Sequence, residues 1–546
     1  MKKILYIFDL KQKQKSSKDI HNIIRQINSD DQILSLTPYS HFIFEKEELN
    51  FKIFHDIVSI AEFRDKVINE YEKIDLLFRD YKDLEYLSRS FMQVLTYQMY
   101  IRFIESYINM HNEKYNVIYI TDTSKQDITF KNIISNKTTL LHYSTSIKKI
   151  IYLRDIDNSF YKKYLWKKKI QLIIKYLKNI DILIKKIFKK NKYSLNYDNQ
   201  YFINEFSEKK ISIEKSINIE KYISQLKMKI STTFDKDIQT LFLDIMQDVI
   251  NSLINYRADI LSYKSFSYLS SDLMLFEALT LKENNIPIIF FQHGNYLYPH
   301  MFFNGGEIGL ANTNFVINDY TNKIFKKYGS KNPKTVGSIY FNKYISKKET
   351  KFDYLYITYN TNYAGNICYI ESDECLYSFD GYEIYQRHKS IIELFGTKYK
   401  SEKICIKMHP MILSFGNYVP IIELSKSYKN ITIDFTTAML ELIEESEYII
   451  SDYFSSEFLN RDIHYKKNIL LFQGAPIPLP NETIEDMKKM FILVETVEDL
   501  DNSINDIKKI VENRIRYDNI IEYYSSKNCD TKKIVKEILK KELNGI

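Results

Sequence analysis

The sequence predicts an α/β fold in which parallel sheets carry helices on both faces. Apolar runs of strand length alternate along the chain with segments of helical periodicity. Polar residues cluster directly after several of these runs, and ligands of open α/β sheets bind at the carboxyl ends of the strands. Because 546 residues exceed one ordinary core, we expect two large α/β domains, at 1–345 and 346–546, with a helical insertion at 160–230.

The elements of the first domain follow from local patterns. Strands are predicted at Ile4–Phe8, Ile33–Leu36, Val117–Thr121, Asp259–Tyr263, Ile288–Phe291, Phe315–Ile317 and Thr335–Ser338. Helices are predicted at Tyr81–Met110, Leu241–Tyr256, Asp272–Glu283 and Thr321–Tyr328. The N-terminal apolar run is short and is followed by Asp9, which favours a first strand over a signal peptide. The polar stretch Asn191–Ile230 is expected to be a loop or a poorly packed helical connection.

A charged linker around Lys343–Lys351 leads into the second domain. Its strands are predicted at Tyr354–Thr358, Ile404–Met408, Ile431–Phe435, Tyr448–Ile450, Ile469–Phe472 and Phe491–Val494. Its helices are predicted at Gly381–Phe395, Ala438–Glu445, Val497–Val511 and Thr531–Leu543.

Composition narrows the class of protein. A hydrophobic content of 45% and a charged content of 27% are typical of a folded soluble protein. The sequence contains no run of 18 or more uncharged apolar residues, so no membrane span is expected. Four scattered cysteines do not form a disulfide framework or a metal-binding pair, and they suit a reducing cytoplasm. The net charge of +7 is small for a chain of this length.

The segment Tyr161–Lys192 differs from its surroundings, because it contains 12 lysines and one acidic residue. Its apolar residues recur at steps of three and four and form one helical stripe. A basic amphipathic helix with Trp166 near one end suits binding to an anionic membrane surface. The alternative is a helix packed on the protein with its lysines in solvent. Nucleic acid is not an expected partner, because no arginine cluster or known binding module accompanies the lysines.

Three short motifs carry the candidate chemistry. KMHP, from Lys407 to Pro410, puts His409 just after a strand, where an imidazole can bind or protonate a phosphate. SDYFSSEF, from Ser451 to Phe458, follows another strand, and serines that open a helix can hold a phosphate. QHGN, from Gln292 to Asn295, ends a strand of the first domain. A motif of each kind, taken alone, more often has a structural role. The order of the motifs along the chain favours a functional role.

These motifs together resemble the bacterial teichoic-acid glycerophosphotransferases. KMHP followed by SDYFSSEF is also similar to polysialyltransferases and related capsule-polysaccharide transferases, and the resemblance covers about residues 286–480. It implies a GT-B fold, in which two Rossmann-like domains face each other across a cleft. It also implies that the nucleotide-activated donor is a substrate, with no cofactor and no required metal.

The resemblance implies a role for each motif residue. His409 and Lys407 would bind or protonate the donor phosphate, and Ser455 and Ser456 would bind it from a helix start. Thr437 and Glu441 are weaker candidates for contacts with the ribose or base. His293 would lie across the cleft as a general base or an acceptor contact. The remaining motif residues would support the cleft, and these are Gln292, Gly294, Asn295 and Asp452.

The resemblance implies a glycosyltransferase of bacterial surface polysaccharide synthesis, acting on a glycan or lipid-linked acceptor. A CMP-linked acidic sugar is the first candidate donor, because the His-Pro and Ser-Ser motifs resemble those of cytidine-nucleotide users. Two departures, the extra Phe454 and QHGN in place of His-Gly-Thr-Pro, weaken the alternative of a CDP-polyol phosphotransferase. A non-catalytic scaffold of a polysaccharide assembly complex is the alternative of another class. Asp155-Ile156-Asp157 spells a DxD metal motif that we interpret as incidental.

Overall fold

The structure is a computed structural model. It describes residues 3–10, 18–79, 87–111, 113–121, 147–152, 210–212, 219–236, 238–240, 242–243, 259–261, 264–266, 288–292, 311–327, 329–338, 349–358, 381–408, 420–452, 469–472, 481–504, 506, 520, 523–524 and 529–543.

The first half of the chain, which here means the described residues up to 338, begins with a four-stranded parallel sheet in the order β2-β1-β3-β4. Its strands are β1 (Lys3–Asp9), β2 (Gln32–Ser35), β3 (Tyr115–Thr121) and β4 (Ile147–Tyr152). Its helices are α1 (Lys18–Ile24), α2 (Pro38–Lys46), α3 (Ile60–Arg79) and α4 (Leu87–His111), with a 3-10 turn at Phe54–Asp56. The centre of β1 is buried on both faces, as expected of a parallel strand covered by helices.

A second parallel sheet follows in the order β10-β9-β8-β7. Before it come β5 (Lys210–Ser212), α5 (Ile219–Thr233) and β6 (Asp259–Leu261), with β5 and β6 paired antiparallel. The sheet consists of β7 (Lys264–Phe266), β8 (Ile288–Phe291), β9 (Thr313–Val316) and β10 (Pro333–Thr335), and α6 (Asp319–Lys327) lies between the last two.

The second half, which here means the described residues from 349 onward, contains a six-stranded parallel sheet in the order β13-β12-β11-β14-β15-β16. Its strands are β11 (Phe352–Ile357), β12 (Ile404–Lys407), β13 (Ile431–Asp434), β14 (Ser446–Ser451), β15 (Ile469–Phe472) and β16 (Ile492–Val494). Its helices are α7 (Gly381–Thr397), α8 (Ile421–Ser425), α9 (Met439–Glu444), α10 (Asn481–Met490), α11 (Val497–Ile504) and α12 (Thr531–Leu543). Counted from β11, this is the Rossmann strand order 3-2-1-4-5-6.

The two faces of the six-stranded sheet have separate cores, because successive side chains of a strand point to opposite faces. Tyr354 and Tyr356 of β11 pack with residues of α7, α8 and α11 on one face. Leu355 and Ile357 pack with residues of α9 and α10 on the other face. Helices therefore cover both faces, and the predicted α/β class with Rossmann-like sheets is confirmed. Two parallel-sheet halves in contact with each other make the layout GT-B-like.

Most of the described strands lie within two residues of their predicted bounds. The sequence did not predict α1, α2, α3, α8 or α10. The stretch up to Ile230 was expected to be a loop or a poorly packed helical connection, and its end is instead the packed helix α5, at Ile219–Thr233. Apolar residues Ile219, Ile223, Leu226 and Ile230 recur at helical spacing in α5. Helix α5 packs against α3, and Ile230 is fully buried.

Several predicted features lie outside the described residues. These are the basic segment 161–192, the helix at 272–283, the DxD motif at 155–157, most of the helix at 241–256, and the domain boundary at 345/346. Among the helices that the structure does describe, none is long and apolar enough to span a bilayer.

The last helix of the chain returns to the first half of the protein. Val535 and Leu539 of α12 pack against Ile289 and Phe291 of β8 and against Phe315 of β9 in one apolar cluster. Just before this helix, the Cys529 thiol donates to the carbonyl oxygen of Val336 (3.1 Å), and the amide of Asn318 donates to that of Tyr524 (2.8 Å). Helix α12, in the second half, is thus joined to the second sheet of the first half by an apolar contact. Two hydrogen bonds lie beside that contact.

We expect Leu539→Ala to lower the free energy of unfolding by about 2–5 kcal/mol, because Leu539 is fully buried and its truncation leaves a cavity. Chemical denaturation at neutral pH measures this loss. Lys540→Ala in the same helix is the control, because Lys540 is exposed and its substitution is expected to change stability by under about 0.5 kcal/mol. Equal stability of the two variants would show that α12 is not packed on the second sheet.

Candidate functional site

The candidate site lies at the carboxyl edge of the six-stranded sheet. In the Rossmann order, ligands bind outside the carboxyl ends of the strands at the point where the strand order reverses, which here lies between β11 and β14. Residues at four adjacent strand ends meet there: Thr358 after β11, Lys407 ending β12, Asp434 ending β13 and Asp452 after β14. The predicted site residues Lys407 and Asp452 thus occupy one edge.

Lys407 and Asp434 form an ion pair between the ends of β12 and β13. Lys407 Nζ donates to Asp434 Oδ1 (3.0 Å) and to the carbonyl oxygen of Thr437 (2.6 Å). Both side chains are largely buried, at 6% and 13% exposure. The structure therefore gives Lys407 a positioning role at the start of the loop before α9. Its predicted contact with a donor phosphate stays a prediction.

Asp434 organises the loop that leaves β13. Its Oδ1 accepts from the backbone N–H groups of Thr436 (3.0 Å) and Thr437 (2.8 Å), and its Oδ2 accepts from Thr437 Oγ1 (2.7 Å). Burial by itself raises the pKa of Asp434, but the Lys407 ammonium and these hydrogen bonds outweigh it and hold the pKa below its usual value. The predicted ribose or base contact Thr437 is thereby held at the strand end, with half-buried Glu441 in the first turn of α9.

Asp452 is the most buried carboxylate of this edge, at 1% exposure. Tyr356 Oη donates to its Oδ1 (2.7 Å), and His388 Nε2 lies 3.4 Å from its Oδ2. Arg387 Nη1 is 3.6 Å from Oδ1. Burial raises the pKa of Asp452, but the hydrogen bond from His388 and the Arg387 charge more than offset that effect and lower the pKa. Asp452 is therefore ionised at neutral pH and is not a proton donor.

The sequence singled out Asp452 but missed the partners that hold it. Tyr356 comes from β11, and Arg387 and His388 come from α7. The available signal was the polar run Gln386-Arg387-His388-Lys389 in a helix that otherwise has a strong apolar pattern. Asp434 was also missed, because the predicted strand extended to Phe435, whereas the observed β13 ends at Asp434.

Gln292 ends the corresponding strand of the first half. Its Oε1 accepts from the backbone N–H of Ile317 (2.9 Å), and its Nε2 donates to Thr321 Oγ1 (3.3 Å). At 3% exposure, Gln292 fixes the end of β8 to the start of α6. His293, Gly294 and Asn295 follow it directly and lie outside the described residues.

The other predicted site residues also lie outside the described part of the chain. His409 is two residues after Lys407, and Ser455 and Ser456 follow Asp452 by three and four residues. Strands β12 and β14 both pair with β11, so their ends are about 10 Å apart at the usual interstrand spacing of about 4.8 Å. The last described residues before the two motifs, Met408 and Asp452, therefore lie at the same edge of the sheet.

The chemistry of the described residues is that of a framework. Each carboxylate at the strand ends has a basic partner, so this edge is close to neutral as a whole. No group of three or more His, Cys, Asp or Glu side chains in the described ranges is placed to hold a metal ion. Phosphate binding and proton transfer by the predicted motif residues stay predictions.

We expect Asp434→Asn to lower the free energy of unfolding at pH 7 by about 3–5 kcal/mol, because it leaves Lys407 as a buried charge without its carboxylate. The pKa of Asp434 is lowered from an ordinary value of 3.8, so its contribution is complete above that pH and is lost as the pH falls further. Denaturation of both proteins between pH 7 and pH 3 measures the difference, which should narrow in acid.

Glu423→Gln is the matched control, because Glu423 pairs with a well-exposed lysine, Lys426 (2.9 Å). An exposed pair of this kind contributes about 1 kcal/mol or less. A stability loss in Asp434→Asn that is as small as in Glu423→Gln, or that grows in acid, would contradict the structural role of the Lys407–Asp434 pair.

Comparison with known proteins gives no family for this chain. No family model matches it, and no curated protein matches its sequence. Among solved structures, UDP-GlcNAc 2-epimerase from Neisseria meningitidis bound to UDP-GlcNAc is 14% identical, with 60% of this chain and 84% of that chain covered at a TM-score of 0.33. The S. aureus MnaA–UDP co-structure is 12% identical, with coverages of 65% and 85% and a TM-score of 0.37. MurG from Acinetobacter baumannii is 11% identical, with coverages of 58% and 79% and a TM-score of 0.29. These TM-scores are too low to assign a function.

Proposed function

We propose that this chain is a glycosyltransferase that uses a nucleotide-activated sugar in the synthesis of a bacterial surface polysaccharide. One observation carries the proposal. The His-Pro and Ser-Ser motifs follow, within four residues in sequence, the described strand-end residues Lys407 and Asp452 beside the reversal of a Rossmann-order sheet. A nucleotide is the ligand class that binds at this position in such sheets.

The proposed reaction moves a glycosyl group from the donor phosphate to an acceptor hydroxyl. The acceptor oxygen forms a bond to the anomeric carbon, and the bond from that carbon to the phosphate oxygen breaks. His293 takes the acceptor proton as general base, and His409 donates a hydrogen bond or a proton to the leaving phosphate. Ser455 and Ser456 bind the same phosphate with hydroxyl and backbone N–H groups.

The proposed donor is a CMP-linked acidic sugar, and the proposed acceptor is a glycan or a lipid-linked saccharide. The similarity of the His-Pro and Ser-Ser motifs to those of cytidine-nucleotide users supports the donor. The proposed reaction uses no metal or cofactor, and its proposed location is the cytoplasm, with peripheral contact to the inner face of the membrane.

We expect a cytidine nucleotide to raise the melting temperature of the wild-type protein in a screen of CMP, CDP, UDP and GDP, because a ligand that binds only the folded state stabilises it. His293→Ala and His409→Ala are each expected to lower turnover about 10²–10⁴-fold, the usual loss for a positioned acid or base. His21→Ala in α1 is the control, since His21 is half-exposed and pairs with Glu47 (3.5 Å), far from the motifs in sequence. Near-normal turnover of both variants would exclude the site.

Isotope-labelled donors separate the proposed reaction from polyol-phosphate transfer. The label is placed in the phosphate that is bonded to the transferred group. In glycosyl transfer this phosphate stays with the released nucleotide, whereas in a CDP-polyol reaction it enters the product with the polyol. Absence of binding to all four nucleotides, together with absence of donor turnover, would favour the scaffold.

We further expect the wild-type protein to sediment with anionic phospholipid vesicles through the basic segment 161–192, because each lysine near an anionic surface contributes about 1 kcal/mol. A variant with the lysines of this segment replaced by glutamine should remain in the supernatant. As a control, Lys533, Lys540 and Lys541 of α12 are replaced instead. Unchanged sedimentation of the segment variant would show that the segment is not the membrane contact.

A further inference from the structure

We propose that Glu45, in the first half of the chain, is a positioning residue for the strand-end site in the second half. It acts through helix α7, which it contacts on one side and which holds Asp452 on another. The expected effect of Glu45 on nucleotide affinity rests on the proposed function. Its expected effect on the position of α7 and Asp452 does not.

Glu45 gathers three donors from α7. Its Oε2 accepts from Tyr385 Oη (2.8 Å) and from Lys389 Nζ (2.8 Å), and its Oε1 accepts from Gln386 Nε2. Burial of Tyr385 and the adjacent Glu45 charge raise the pKa of the Tyr385 hydroxyl, so it remains a donor. The α2–α7 contact is defined here as Glu45 with these three residues, and it joins positions about 340 residues apart in sequence.

The sequence places Glu45 firmly within α2. Thr37 caps the helix, with its side chain accepting from the backbone N–H of Ser40, and Pro38 starts the first turn. Phe42, one turn before Glu45, packs against the core of the first sheet and also against the α7 side of the six-stranded sheet. The His41 ring meets Tyr382 of α7 edge to face, with centroids 5.0 Å apart. Helix α2 therefore presents Glu45 to α7 from a fixed position.

Helix α7 carries this contact to the strand-end site. Arg387 and His388 lie between Gln386 and Lys389 in sequence, and both reach the Asp452 carboxylate, at 3.6 Å and 3.4 Å. A shift or rotation of α7 by a fraction of a turn moves these two groups away from a fully buried carboxylate. Because a buried charge without its partners is costly, such a shift displaces Asp452 at the end of β14.

The α2–α7 contact is easier to release than the contact that α12 makes with the first half. At α12 the halves are joined by fully buried Val535 and Leu539, whereas Glu45 and Lys389 keep 22% and 27% exposure. Partly exposed ion pairs contribute less than buried apolar packing and weaken in salt. Loss of Glu45 should therefore loosen α7 and leave the halves attached.

The decisive experiment measures hydrogen–deuterium exchange and nucleotide affinity for wild type, Glu45→Ala, Glu45→Gln and Lys389→Ala. In Glu45→Ala we expect faster exchange in both α7 and 446–452, and affinity for the nucleotide that wild type binds best lower by roughly fivefold or more. Glu45→Gln, which keeps an acceptor for Tyr385, should be intermediate. Lys389→Ala removes the same ion pair without changing α2, so it keeps the test valid if Glu45→Ala folds poorly.

Glu62→Ala is the matched control, because Glu62 also pairs with a lysine, but that lysine, Lys66 (3.1 Å), lies one turn further along the same helix, α3. It should leave exchange in α7 and nucleotide affinity unchanged. Faster exchange confined to α7, with 446–452 and affinity at wild-type values, would overturn the inference while leaving the proposed function intact. If wild type binds none of CMP, CDP, UDP and GDP, the proposed function fails, and the exchange at 446–452 still decides the role of Glu45.

Discussion

The buried carboxylate of Asp452 is the constraint on which the second half depends. A carboxylate in a protein interior must have charged or hydrogen-bonding partners, because its desolvation otherwise exceeds any gain from burial. Those partners are Tyr356 of β11 and Arg387 and His388 of α7. The backbone N–H of Asp452 also donates to the carbonyl oxygen of Ile357 (3.1 Å). One side chain thus fixes β11, β14 and α7 relative to one another at the reversal of strand order.

The ends of the neighbouring strands β12 and β13 depend in the same way on a buried ion pair. The ion pair of Lys407 and Asp434 closes the ends of β12 and β13, and Thr358 Oγ1 donates to the carbonyl oxygen of Lys407 (3.1 Å) from the end of β11. The two networks therefore share β11 and together span four adjacent strand ends. Their charges cancel locally, which allows both to be buried and leaves the edge rigid.

The sequence could predict most of the sheets but little of this site. Buried parallel strands are continuous apolar runs, so Ile288–Phe291 and Ile469–Phe472 were predicted with their observed bounds. Helix α3 was missed because charged residues are frequent in it and interrupt the apolar pattern to which its buried residues Val67 and Ile74 belong.

The partners of the site residues could not be predicted, because they depend on contacts between distant parts of the chain. Lys407 resembled a phosphate ligand in its local motif, whereas the fold pairs it with Asp434, 27 residues later. His388 and Asp452 are 64 residues apart. The contact of Glu45 with α7 crosses from one half to the other, and no local periodicity contains that information.

The ion pairs at the strand ends limit which positions of this edge can change. Side chains that already satisfy one another at the strand ends cannot be exchanged without a loss of stability, whereas the loops that follow can vary at low cost. The two departures from the glycerophosphotransferase motifs are Asn295 after His-Gly and the inserted Phe454. Both come later in sequence than the paired residues Gln292 and Asp452. The proposed difference from polyol-phosphate transfer is therefore compatible with unchanged pairing at the strand ends.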